Sequence, residues 1–155
     1  MATTAAAIRN AMLLLVKAIT PATHAQQKFD LYREHSDFRT NMLEHPASCL
    51  RKVSIRNLND RGAPAVTTGS VEEVSETFEV VVAYPMDGRH GSKFVTSVDD
   101  VISSDINQIH HVLHVANSPA GATVLRLTDE REPNEAEGVV FAVIRYRVDY
   151  YWSLT

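Results

Sequence analysis

A chain of 155 residues fits one domain and can bury a core of its own. Its 45% hydrophobic and 22% charged content is that of an ordinary soluble globular protein, and a formal net charge of −4 gives no global basic field to wrap nucleic acid. A single cysteine, Cys49, excludes an intramolecular disulfide and a four-thiolate zinc site, and suits a reducing cytoplasm with the thiol as a small packing residue.

The chain opens on a helix. Thr3 or Thr4 is placed to cap it, Thr20-Pro21 stops it, and Ile8, Met12, Leu15 and Ile19 form one apolar stripe that Leu13, Leu14 and Val16 widen. The apolar run Ala11 to Val16, flanked by Arg9, Asn10 and Lys17, is too short for a signal core or a membrane span, so a soluble chain without a targeting segment is expected. Residues 21–49 are polar with sparse apolar positions. They read as an extended connection with short helical turns, or as a contact arm in which Phe29 and Phe38 are candidate anchors.

Strand patterns follow. Leu50 to Leu58 alternates, with Val53 and Ile55 on one side and Lys52, Ser54 and Arg56 on the other. Residues 59–76 begin rich in turn formers and read as a mobile loop. Glu76 to Tyr84 is a strong strand with Phe78, Val80, Val82 and Tyr84 on one face, ended by Pro85. A second helix starts at Thr96 or Ser97, carries Asp99 and Asp100 in its first turn, and buries Val98, Val101, Ile102, Ile106, Ile109, Val112 and Leu113 before ending near Ala116-Asn117. Ala122 to Thr128 reads as a strand, and 129–138 as a mobile acidic loop.

The last strand is the strongest. From Val139 to Trp152 there is no Gly or Pro, and β-branched and aromatic residues dominate. One face carries Val140, Ala142, Ile144, Tyr146, Val148, Tyr150 and Trp152; the other turns from Val139, Phe141 and Val143 to Arg145, Arg147 and Asp149. Such a strand must enter a sheet or present a sticky edge to a partner. Together these elements predict one α+β domain over 1–155: a mostly antiparallel sheet of about four strands, with two main helices packed on one face.

Chemistry is sparse. His110 and His114 share a helix face at a metal-chelating spacing, but His-Glu-x-x-His is absent and no acid lies within a turn. There is no Gly-x-Ser-x-Gly elbow, no dinucleotide fingerprint and no phosphate loop. Asp99-Asp100 is explained by helix capping, and Glu72-Glu73 precedes a strand. These patterns name no catalytic, cofactor or metal residue. Arg126, Arg145, Arg147, Tyr151 and Trp152, with Phe29 and Phe38, are the candidate inter-subunit or partner contacts, because Arg, Tyr and Trp are the side chains interfaces favour.

The layout resembles the tail terminator family of long-tailed, lambda-like bacteriophages. The likeness runs from the apolar helix Ala5 to Ile19 through the loop ending in Gly69 and the acidic lead-in Glu72, Glu73 and Glu76. It continues through the strand Thr77 to Pro85 and the Asp99 helix to the closing strand Val140 to Val148. The longer 21–49 segment departs from that pattern. The resemblance implies an α+β subunit of a homo-hexameric ring that caps the tail tube and joins it to the head. Its partners would be the major tail tube protein and a head–tail connector or neck protein. DNA would pass through the lumen without sequence-specific binding, and no catalysis or cofactor would be involved. The implied location is the virion, with the host cytoplasm during assembly. The alternatives are another connector, neck or tail completion protein, a monomeric binding module, and a small metal-dependent enzyme or regulator using His110/His114.

Overall fold

The computed structural model describes residues 2–32, 35–58, 67–68, 71–91, 94–115 and 119–153. In chain order the elements are β1 (Ala2–Thr3), α1 (Ala5–Lys17), β2 (Asp30–Leu31), α2 (Phe38–Glu44), β3 (Lys52–Asn57), β4 (Thr67–Thr68), β5 (Val71–Pro85), α3 (Val98–His110), β6 (Thr123–Asn134) and β7 (Val139–Ser153). The caps are those that the sequence offers. Thr4 accepts from the Ala7 N–H at 3.1 Å to start α1, and Ser97 accepts from the Asp100 N–H at 3.3 Å to start α3. Beyond His110 the α3 spiral widens into a π-helical turn over His111–Val115.

β7 lies in the interior of the sheet. It pairs antiparallel with β5 from Pro85↔Val139 to Val71↔Ser153, and with β6 on its other side. β3 pairs antiparallel with the outer side of β5, and β4 folds back onto the start of β5. The two parallel pairs, β1 on β7 and β2 on β3, each involve a strand of only two residues. The α+β class therefore holds, while the sheet is mixed, with four long strands and three two-residue ones among the described residues.

Helices lie on both faces rather than one. On the first face α1 and α3 cover Phe78, Val80, Val82 and Tyr84 of β5 and Ala142, Ile144, Tyr146, Val148 and Tyr150 of β7. Ile8, Met12 and Val16 of α1 and Val101, Ile102, Ile106 and Ile109 of α3 complete this main core, whereas Leu14 points to solvent. On the second face the short α2 lays Phe38 and Met42 over Val81, Ala83, Val139, Phe141 and Val143. The period-two alternation of β5 and β7 is what supplies an apolar residue to each face in turn.

Two loop assignments change. Residues 71–76 of the expected loop 59–76 are the first part of β5, since Val74 enters the main core and Glu76 is buried against Asn57; 59–66 and 69–70 lie outside the described residues. Residues 129–134 of the expected loop 129–138 are the second half of β6, leaving Glu135–Gly138 as the turn, in which Gly138 takes φ +69°. Acidic composition suggested a loop in both places, but cross-strand partners on β7 hold these residues extended. The 21–49 segment is folded too: it contains β2, α2 and two 3₁₀ turns, His35–Asp37 and Pro46–Ser48.

Candidate assembly surface

The second sheet face changes character along its length. Beyond the apolar patch under α2 stands Glu79, with its side chain fully buried and three arginines on it. Arg56 Nε lies at 3.0 Å, Arg145 Nε at 3.2 Å and Arg39 Nη1 at 3.4 Å. Arg39 also reaches Glu132 at 3.1 Å and Arg145 reaches Glu130 at 3.6 Å. Burial alone would raise the Glu79 carboxyl; the charges of Arg56 and Arg39 and hydrogen bonds from Arg145 and Arg56 outweigh it and hold the group below the usual carboxylate range. The cluster ties β3, β5, β6, β7 and α2 together and forms the boundary of the α2 core.

Past that boundary the face is open among the described residues. Arg147 is half-exposed and bound to Asp149 at 3.3 Å, and Leu125 stands across from it on β6. Tyr151, on the same side of β7, is 49% exposed. Of the candidate contacts, Arg145, Arg147 and Tyr151 thus share one sheet face. Arg126 lies on the opposite face, bound to Asp129 at 3.4 Å. The backbone of Trp152 pairs with Glu72 and Thr3, while its side chain is outside the described residues. Phe29 and Phe38 are not surface anchors. Phe29 is buried in the main core and Phe38 in the α2 core, so each ring is used inside the subunit. The sparse apolar residues of 21–49 stand out in the sequence because they are what fixes that segment to the sheet.

The histidines on α3 make a ring stack rather than a ligand set. His110 lies over His114 with centroids 5.2 Å apart and over Tyr146 at 6.4 Å. His114 Nδ1 is bonded to the Val124 carbonyl. Burial first, then the charges of Arg126, His114 and His111, push the His110 imidazole below its ordinary value, so its environment opposes added positive charge. Among the described residues no group of three or more His, Cys, Asp or Glu is placed to hold a metal ion. Cys49 is buried, and burial pushes its thiol up to about 11, which suits packing rather than nucleophilic use.

A second buried charge cluster escaped the sequence reading. Arg51 and Asp105 are both fully buried and joined by two bonds, Nε to Oδ2 at 2.8 Å and Nη2 to Oδ1 at 2.9 Å. Tyr84 Oη donates to Asp105 Oδ2 at 2.7 Å. The remaining guanidinium hydrogens go to the carbonyls of Gln27 at 2.8 Å, Thr23 at 2.9 Å and His24 at 3.0 Å, and the guanidinium lies 5.6 Å from the Phe29 ring centroid. This arginine holds the 21–29 loop against β5 and α3. Burial pushes the Asp105 carboxyl up against the opposing pull of Arg51 and Tyr84, and pushes the Tyr84 hydroxyl up as well.

One cleft, of about 620 Å³, takes its apolar lining from Met86, Val98, Pro133 and Val140. On its rim Asp87 accepts from the Val98 N–H at 2.9 Å, Arg131 donates to Ser103 at 2.8 Å, and Arg89 donates to the carbonyls of Glu135 and Ala136. No protein-family model matches the sequence, and no curated protein matches it. No helix among the described residues is long and apolar enough to cross a membrane.

Proposed function

We propose that this chain is a structural assembly subunit, a phage tail terminator that joins copies of itself into a ring capping the tail tube and connecting it to the head. The observation that carries the reading is the ribbon face of β5, β7 and β6 beyond the Glu79 cluster, which is open among the described residues. There Arg147, Tyr151 and Leu125 stand exposed on a rigid sheet whose other face is filled by α1 and α3. Aromatic and arginine side chains on a rigid scaffold are the usual anchors of a protein interface. The resemblance in order and length to tail terminators supplies the architecture: a heterologous contact between neighbouring copies closes a six-fold ring. Tail tube and neck proteins would dock on its two sides, and DNA would pass through the centre. The charged clusters and the cleft of about 620 Å³ fit this reading, since their polar side chains are engaged in holding strands and loops together.

The test is native mass spectrometry and negative-stain electron microscopy of the purified chain, alone and with assembled tail tubes. A ring, free or seated on tube ends with tube growth halted, is the expected result. A chain that stays single in both settings removes the proposal.

A further inference from the structure

Among the described residues the two edges of the sheet differ: one is capped and the other carries no further strand. On the β3 side the Arg51 carbonyl accepts from the Asp30 N–H at 3.0 Å and the Val53 carbonyl from the Tyr32 N–H at 2.8 Å, and the Arg9 guanidinium caps the Ile55 carbonyl. On the other side β6 pairs with β7 along its inner edge, and among the described residues no strand lies on its outer edge. Every residue from Leu125 to Arg131 is exposed, Leu127 at 50%. Charged side chains often blunt such an edge. Here they are drawn back onto the chain's own structure: Glu130 to Arg145, Glu132 to Arg39 and Arg131 to Ser103. Apart from the Val124 carbonyl, which His114 Nδ1 takes, the main-chain edge therefore stays open to another strand from Leu125 onward.

A β-bulge determines which strand fits. The register of β6 on β7 shifts between Arg126 and Thr128. Before the shift, Thr123 and Leu125 share a face with Asp149 and Arg147; after it, Thr128, Glu130 and Glu132 share that face with Arg145, Val143 and Phe141. Consider a second copy laid antiparallel along β6 about a two-fold axis perpendicular to the sheet. Residues that meet must point to the same face, so a residue before the bulge meets one after it from the same set. With the axis between Leu127 and Thr128, Leu125 meets Glu130, Val124 meets Arg131, and Arg126 meets Asp129, twice by symmetry. Slipping the register by two residues one way sets Arg126 against Arg131, and by two the other way removes the Arg–Asp match. The bulge and the charges select the same register.

We propose that two copies of this chain pair β6 against β6 in that register. Arg126 and Asp129 are already 3.4 Å apart within each chain, so pairing makes a square of four charges, and the two exposed Leu127 side chains come together beside the axis. The contact is isologous, whereas a ring closes through a heterologous one. It joins two free subunits or two rings, and it does not depend on the ring reading.

The test is native mass spectrometry and sedimentation of the full chain with Arg126→Asp, with Asp129→Arg, and with the two variants mixed. Each variant alone opposes like charges at both symmetric positions and should weaken pairing about tenfold. The assembled mass should then halve while the thermal unfolding midpoint falls by only a few degrees, because each variant also loses the exposed Arg126–Asp129 pair within its own chain. In the mixture every opposed pair is again Arg with Asp, so a one-to-one species should reappear. A wild-type chain that never pairs, variants that leave the assembled mass unchanged, or a mixture that stays apart each overturns the proposal. Whether a closed ring forms is read separately, in the same micrographs, and judges the function proposed above.

Discussion

Replacing Asp105 with Asn tests whether the hidden charge pair holds the fold. The carboxylate accepts from Arg51 at 2.8 and 2.9 Å and from Tyr84 at 2.7 Å, with no exposure to water. Asp105→Asn keeps the shape but leaves the guanidinium charge uncompensated, and it turns one acceptor into a donor facing donors. Breaking a buried ion pair from one side costs about 3–5 kcal/mol. That is a large share of the ~5–15 kcal/mol that holds a domain of this kind folded. Tyr84→Phe removes a single hydrogen bond to a charged group and leaves both arginine bonds in place, about 1.5–3 kcal/mol. Urea unfolding should therefore rank wild type, Tyr84→Phe and Asp105→Asn in order of falling midpoint, with an unchanged denaturant slope. Hydrogen exchange should rise most in 21–29, whose carbonyls Arg51 holds. An Asp105→Asn chain as stable as Tyr84→Phe, or one whose 21–29 loop exchanges as in the wild type, would refute the reasoning.

Two further outcomes follow from the clusters. Arg147 is half-exposed and paired with the neighbouring Asp149, so Arg147→Glu should change unfolding by less than about 0.5 kcal/mol and yet suppress self-association in sedimentation. Arg145→Glu sets a carboxylate against buried Glu79, which keeps Arg39 and Arg56, and should destabilise the fold itself by about 1–3 kcal/mol, so equal folding of the two variants would contradict the structure. His110 is held below the ordinary imidazole value of 6.5, so the folded state resists its protonation. Stability is therefore expected to fall as the pH drops below 6.5 towards the folded value, and the drop should be shallower in His110→Gln, as measured by thermal melts across that range.

Alternation made β5 and β7 legible in the sequence, and the stripe Val101, Ile102, Ile106, Ile109 made α3 legible. The lengths of β5 and β6 were not, because Glu72, Glu73 and Glu76, and Asp129, Glu130 and Glu132, look like solvent-facing loop residues until their cross-strand partners are known. The Arg51–Asp105 pair joins residues from two distant elements, and no local pattern links them. A signal was present on one side: Asp105 occupies a position of the buried α3 stripe, three after Ile102 and four before Ile109. A charge at a core position of an otherwise apolar stripe calls for a buried partner. Glu79 gives the same sign on β5, two residues before Val81 on a face that α2 covers. Of the contact candidates, Arg145 and Arg147 share one face by alternation alone and the structure adds Tyr151 to it, whereas Phe29 and Phe38 look like surface anchors because burial by a distant element cannot be seen in a polar segment.

The unequal covering of the two sheet faces is what gives the contact reading its force. The first face is filled along the whole ribbon, from Tyr84 and Val140 at one end to Val74 and Tyr150 at the other. The main core itself therefore uses eleven residues of each fifteen-residue strand, Val74 to Tyr84 and Val140 to Tyr150. Among the described residues the second face receives only the seven-residue α2, and Glu79 with its three arginines marks where that cover stops. Extending an apolar core past α2 would have left a bare hydrophobic sheet and a risk of indiscriminate aggregation. Charged and aromatic residues there avoid such a bare apolar face, and under the proposed function they offer anchors to a complementary surface. Arg147→Glu leaves the core intact and alters only that offer, so it separates a surface kept for solubility from one kept for assembly.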